Sequence, residues 1–119
     1  MDELMQASDI LGLDDLRTKA VKVKQWGNRI VRIRELDLAQ GMAIFAKATE
    51  DKVIMSAEDI AQVVVFGVVN EKGAPVFTEE DIPKLVTKSR NALMFLYNEI
   101  MNLSGSAEDA GKNSEASQR

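Results

Sequence analysis

From Val21 to Arg34, apolar and basic residues alternate on both sides of Trp26-Gly27-Asn28: Val21 and Val23 with Lys22 and Lys24, then Val31 and Ile33 with Arg32 and Arg34. A period of two flanking turn residues predicts a β-hairpin, and no other stretch carries so clear a strand signal. Its register follows from the requirement that partners across an antiparallel pair share a face. A two-residue turn at Gly27-Asn28 would set Val23 against Arg32 and Val31 against Lys24, mixing both faces. A three-residue loop, Trp26 to Asn28, pairs Val21 with Ile33 and Val23 with Val31, and leaves Lys22, Lys24, Arg32, Arg34 and Ile30 on the other side. That is the expected register, with Asn28 in the left-handed conformation that asparagine tolerates.

The same segment dominates the electrostatics. Residues 17–34 hold seven basic side chains and no acidic one, whereas the remaining 101 residues carry 8 basic against 19 acidic, so a cationic ribbon is set on an anionic body. The formal net charge of −4 hides this division, and local fields steer association more than total charge does.

Beyond Leu36 the period becomes helical. Leu38, Met42, Phe45 and Ala46 form a stripe behind Asp37, a fitting N-cap, with Gly41 weakening the helix. Ser56-Ala57-Glu58-Asp59 has the form of a capping box ahead of Ile60, Val63, Val64, Gly67 and Val68. The β-branched run Val63 to Val69 suits a strand as well, but the capped start and the length favour a helix. Asn70 to Pro75 reads as a turn and Val76-Phe77 as an apolar plug; Thr78 to Asp81 opens a short helix that Pro83 limits. Ser89 then caps the cleanest helix, whose face Leu93, Leu96, Tyr97, Ile100 and Leu103 is the expected packing centre, closed by Gly105.

These readings predict an α+β, mainly helical fold: an N-terminal β-hairpin followed by about four helices and a disordered C-terminal tail. Residues 1–15 are expected to be a loose segment or a short docking helix. Residues 16–105 form one globular domain, with the hairpin at 19–34 and helices near 37–48, 57–70, 79–86 and 90–103. Residues 106–119 have alanine as their only apolar content, too little burial to repay ordering entropy.

Chemistry is constrained by what is missing. Without cysteine there is no disulfide, thiol nucleophile or thiolate metal site, and without histidine the commonest metal ligand and acid/base group are both lacking. The acidic residues come as sequence neighbours, such as Glu58-Asp59 and Glu79-Glu80-Asp81, which diverge where a catalytic pair must converge; helix N-termini explain both sets. Lys88-Ser89 is a cap, since adjacency does not supply the geometry of a dyad. No calcium loop or glycine-rich phosphate loop is present. The expectation is no enzyme, no catalytic residue, no cofactor and no metal. The longest uncharged stretch, Ile60 to Asn70, is 11 residues against the roughly 20 needed to cross a bilayer. The acidic opening Met1-Asp2-Glu3 is unlike an export signal, so the protein is expected to remain where it is made, off the membrane.

The expected partner-binding residues are Lys22, Lys24, Trp26, Arg29, Arg32 and Arg34 on the cationic hairpin. Docking on an acidic protein surface is preferred over a merely solvated strand face, and over phosphate binding, which leaves nucleic acid the weaker alternative. Trp26 either presents itself at the tip or folds back over the helices. Met42, Met55, Met94 and Met101 stand at helical positions where core gap-filling is the default. A cationic ribbon on an anionic body also predicts weak self-association, head to tail.

The order of features carries a resemblance. A basic hairpin closing on Val31-Arg32-Ile33-Arg34-Glu35-Leu36, a helix, then Gly73-Ala74-Pro75-Val76-Phe77-Thr78-Glu79-Glu80-Asp81, then Lys88-Ser89 leading to Leu93, Leu96, Tyr97 and Leu103-Ser104-Gly105 resembles the tail assembly chaperones of long-tailed bacteriophages over about residues 15 to 109. The resemblance implies a non-enzymatic protein of the host bacterial cytoplasm that keeps the helical tape measure protein soluble, helps recruit tail tube subunits, and leaves before the virion is complete. It also implies a possible longer frameshift product, with the polar tail as its tether. A small nucleic-acid-binding regulator and a minor structural tail protein are the alternatives.

Overall fold

The computed structural model describes residues 4–51 and 56–105, with the side chains of 47–51 excepted. In chain order the elements are α1 (Ala7–Leu11), β1 (Thr18–Val23), β2 (Arg29–Arg34), α2 (Leu38–Asp51), α3 (Ala57–Gly67), β3 (Val68–Val69), α4 (Ile82–Leu85) and α5 (Arg90–Leu103). The α+β, mainly helical class is the one the sequence implies. The expected tail and Met55 lie outside the described residues.

The hairpin forms in a register two residues away from the expected one. Val21 faces Val31 and Lys19 faces Ile33, because a 3₁₀ turn at Lys24–Trp26 widens the loop to Lys24 through Asn28. Two consecutive left-handed residues close it, Gly27 at φ 71° and Asn28 at φ 60°, and the Asn28 N–H donates to the Val23 carbonyl at 3.0 Å. A slip of two keeps every side chain on its face, so Val21, Val23 and Ile33 still enter the core.

The second correction concerns Val63 to Val69. The helix begins as expected, with the Asp59 N–H donating to Ser56 Oγ at 3.1 Å, but it ends at Gly67 and not at residue 70. Val68 and Val69 turn extended and pair antiparallel with β2, Ile33 opposite Val68 and Arg32 opposite Val69. The sheet order is therefore β1-β2-β3. Asn70 then folds the chain back: its Oδ1 accepts from the N–H groups of Lys72 at 2.8 Å and Ala74 at 3.0 Å.

The core sits between the inner sheet face, α3 and α5. Ile33, Val23, Val63, Val64, Leu96 and Ile100 are fully buried, each contributing about 1.5–3 kcal/mol by removal from water. The expected packing face of α5 is thus in place, with Leu93, Leu96 and Ile100 buried and Tyr97 and Leu103 half-buried against them. Ser89 caps that helix through the Ala92 N–H at 3.2 Å, and a Thr78 N–H bond to Asp81 Oδ2 at 2.9 Å introduces the turn ahead of α4.

The third correction is α2. Asp37 caps it as expected, accepting from the Gln40 N–H at 2.8 Å while donating its own N–H to Gln40 Oε1 at 3.0 Å. Its stripe, however, does not face the core. Leu38 is 81% exposed, Met42 55% and Phe45 62%, and Ala46 is exposed too, whereas Ile44 at 4% is the one buried among the described side chains of this helix.

Candidate partner-binding surface

The seven cations of the hairpin divide into two groups. At its base they serve the fold: Arg17 Nε lies 3.5 Å from Glu35 Oε1, its guanidinium also donates to the Leu103 carbonyl, and Lys19 Nζ lies 2.9 Å from Glu99 Oε1. Arg34, expected on the free face, is half-buried, with Nη1 donating to the Gly73 carbonyl at 3.1 Å and Nε buried without a hydrogen bond. That arginine ties the 70–75 turn to the sheet.

Toward the tip, Lys22, Lys24, Arg29 and Arg32 are exposed, and among the described residues none of them reaches a carboxylate within ion-pair distance. Lys22 stands directly opposite Ile30, and Arg32 follows two residues later on the same face. Ile30 is 67% exposed in the midst of these charges. Arg29 pairs with Val23 at the end of the ladder and Lys24 begins the turn, so the four cations ring the distal half of the hairpin and do not line one face evenly. Trp26 resolves toward the fold: it is half-buried against the core and forms one wall of a crevice of about 210 Å³ with Ile30, Val31, Val76 and Phe77.

The second surface was hidden from sequence reasoning. Leu38, Gly41 and Met42 of α2 line a groove of about 300 Å³ closed on the other side by Met101 and Ser104 of the last helix and its cap. A Cβ placed at Gly41 would meet nothing within 4 Å, so the first turn of α2 offers its backbone to an approaching partner. The helix is apolar around most of its circumference, and periodicity alone could not select which stripe is buried. The segment preceding the hairpin adds further exposed apolar side chains, Leu4 ahead of α1 and Leu11 at the end of that short helix, which buries none of its residues.

Among the described residues no three acidic side chains converge to hold a metal ion. Burial raises the Tyr97 phenol above its usual range. No helix of the described residues is long and apolar enough to cross a membrane.

No protein-family model matches this sequence, and no curated protein matches it either. The solved structures do contain a similar fold. That of the bacteriophage HK97 tail assembly chaperone superposes with a TM-score of 0.59 at 16% sequence identity, over 80% of this chain and 88% of that one. At that identity the likeness is one of fold.

Proposed function

We propose that this protein is a non-enzymatic tail assembly chaperone that binds and solubilises a tape measure protein in the host bacterial cytoplasm, helps recruit tail tube subunits, and is left out of the finished virion. The observation that carries this reading is the exposed stripe Leu38, Met42 and Phe45 with the groove at Gly41, on a fold similar to that of the HK97 chaperone. A holding chaperone must cover apolar surface that its client would otherwise use to aggregate, and an amphipathic client helix laid along such a groove does that. Lys22, Lys24, Arg29 and Arg32, with Trp26 beside them, provide a second surface at the other end of β2, suited to tube subunits or to weak, salt-sensitive contact with another copy.

The direct experiment is co-expression with the cognate tape measure protein. The client should move from the insoluble to the soluble fraction with the parent chain and stay insoluble with Leu38→Asp/Met42→Asp. Equal solubilisation by parent and variant would remove α2 from the mechanism. Nucleic-acid binding is the competing reading for the hairpin, favoured by its four exposed cations, but an exposed isoleucine at their centre suits a desolvated protein contact better than a phosphate track.

A further inference from the structure

We infer that the uncovered edge of β2 accepts an extended, acidic segment of a partner protein as an additional strand. The inference rests on the reading of the hairpin as an interaction surface, and adds the partner's chemistry and backbone conformation.

The peptide groups of β2 turn alternately to its two neighbours. The Glu35 N–H donates to the Arg17 carbonyl at 2.9 Å across the hairpin, which orients Ile33, Val31 and Arg29 toward β1 and Ile30, Arg32 and Arg34 toward β3. β3 is two residues long and reaches only Arg32 and Ile33. Past Val69 the chain leaves the sheet, since the Asn70 N–H donates to the Ala74 carbonyl at 2.8 Å. The N–H and C=O of Ile30 therefore point past the end of β3, whose ladder reaches only Arg32 and Ile33.

What lies beside that open edge gives the occupant its chemistry. The crevice walled by Trp26, Val31, Val76 and Phe77 is apolar and adjoins the free backbone, so a strand laid there can sink alternate side chains into it. The side chains between those would meet Lys22 and Arg32, neither of which has a carboxylate partner among the described residues. Backbone pairing supplies affinity without sequence demand, the crevice selects β-branched or aromatic residues, and the cations select Asp or Glu at alternate positions. A helix cannot satisfy Ile30, because its own backbone groups are already bonded.

The test uses the full chain labelled with ¹⁵N and two blocked eight-residue peptides, one alternating glutamate with valine and one alternating lysine with valine. With the glutamate peptide, amide exchange at Ile30 should slow by at least about tenfold, binding should weaken as salt rises, and Lys22→Glu/Arg32→Glu should lose at least about tenfold in affinity. No binding of the glutamate peptide, equal binding of the lysine peptide, or binding with Ile30 exchange unchanged would each overturn the inference. Equal protection of Ile30 by a short DNA duplex would overturn it as well. Should the peptide fail while Lys22→Glu/Arg32→Glu still blocks capture of a tail protein, the strand inference falls and the hairpin remains an interaction surface.

Discussion

Gly67→Ala inverts the usual consequence of replacing a helical glycine. Gly67 is the last residue of α3 and is buried against α5. A Cβ there would stand 2.5 Å from Cδ1 of Ile100 and 2.8 Å from both Cγ1 and Cγ2, whereas carbon atoms are at rest about 3.5–4.0 Å apart. Three carbons are thus overlapped by about 1 Å each. Ile100 cannot easily yield, since it is fully buried and a β-branched side chain in a helix has essentially one favoured χ1. Either α3 moves off α5 or the isoleucine leaves its rotamer, at a cost of about 1–3 kcal/mol. Alanine gains up to about 1 kcal/mol over glycine inside a helix, and less at a final residue that is followed by extended backbone. The net expectation is a loss of about 1–2 kcal/mol, read as a lower urea midpoint at unchanged slope. Ile100→Val removes the Cδ1 atom that lies nearest. Alone it should cost about 0.5–1.5 kcal/mol, and in the Gly67→Ala background clearly less, with a coupling of at least about 0.5 kcal/mol. A Gly67→Ala protein as stable as the parent, or strictly additive single variants, would refute the claim that this glycine is there to admit Ile100.

Three further expectations follow from burial. Leu96→Ala should cost about 2–5 kcal/mol, because Leu96 is fully buried at the centre of the core; a loss under about 1 kcal/mol in urea titration would move the packing centre elsewhere. Met42→Asp should leave stability within about 0.5 kcal/mol while abolishing client solubilisation, and a large drop in melting temperature would show that the α2 stripe is packed after all. Burial raises the Tyr97 phenol above the value near 10 that it has in the unfolded chain, so its contribution is intact below about pH 10 and is lost as pH climbs toward the folded-state value. Tyr97→Phe should lessen the alkaline loss of stability, and identical alkaline profiles for parent and variant would dismiss the assignment.

Local signals in the sequence were enough to identify the hairpin and the starts of the longer helices. Alternation set the faces of the hairpin, and three side-chain caps, Asp37, Ser56 and Ser89, fixed helix starts, because a cap is an interaction within four residues and needs no tertiary partner. The face of α5 was equally legible, since its stripe is surrounded by polar residues and only one side could be buried. For the surfaces, the cationic ribbon was visible as composition, and Lys22, Lys24, Arg29 and Arg32 do remain exposed.

What the tertiary structure decided are the points where local preferences tie. Val68 and Val69 suit helix and strand alike, and the side of β2 left open by the hairpin drew them into the sheet. The register of the hairpin was set by a 3₁₀ turn with two left-handed residues, and its two-residue slip was invisible to a pattern of period two. Arg34 keeps its place on the face of Lys22 and Arg32 but is half-buried there, because the carbonyl of Gly73, 39 residues away, lies within its reach. The apolar circumference of α2 gave no local reason to bury Ile44 in place of Leu38 and Met42; the positions of α3 and α5 made that choice, and in making it left exposed the stripe on which the proposed function depends.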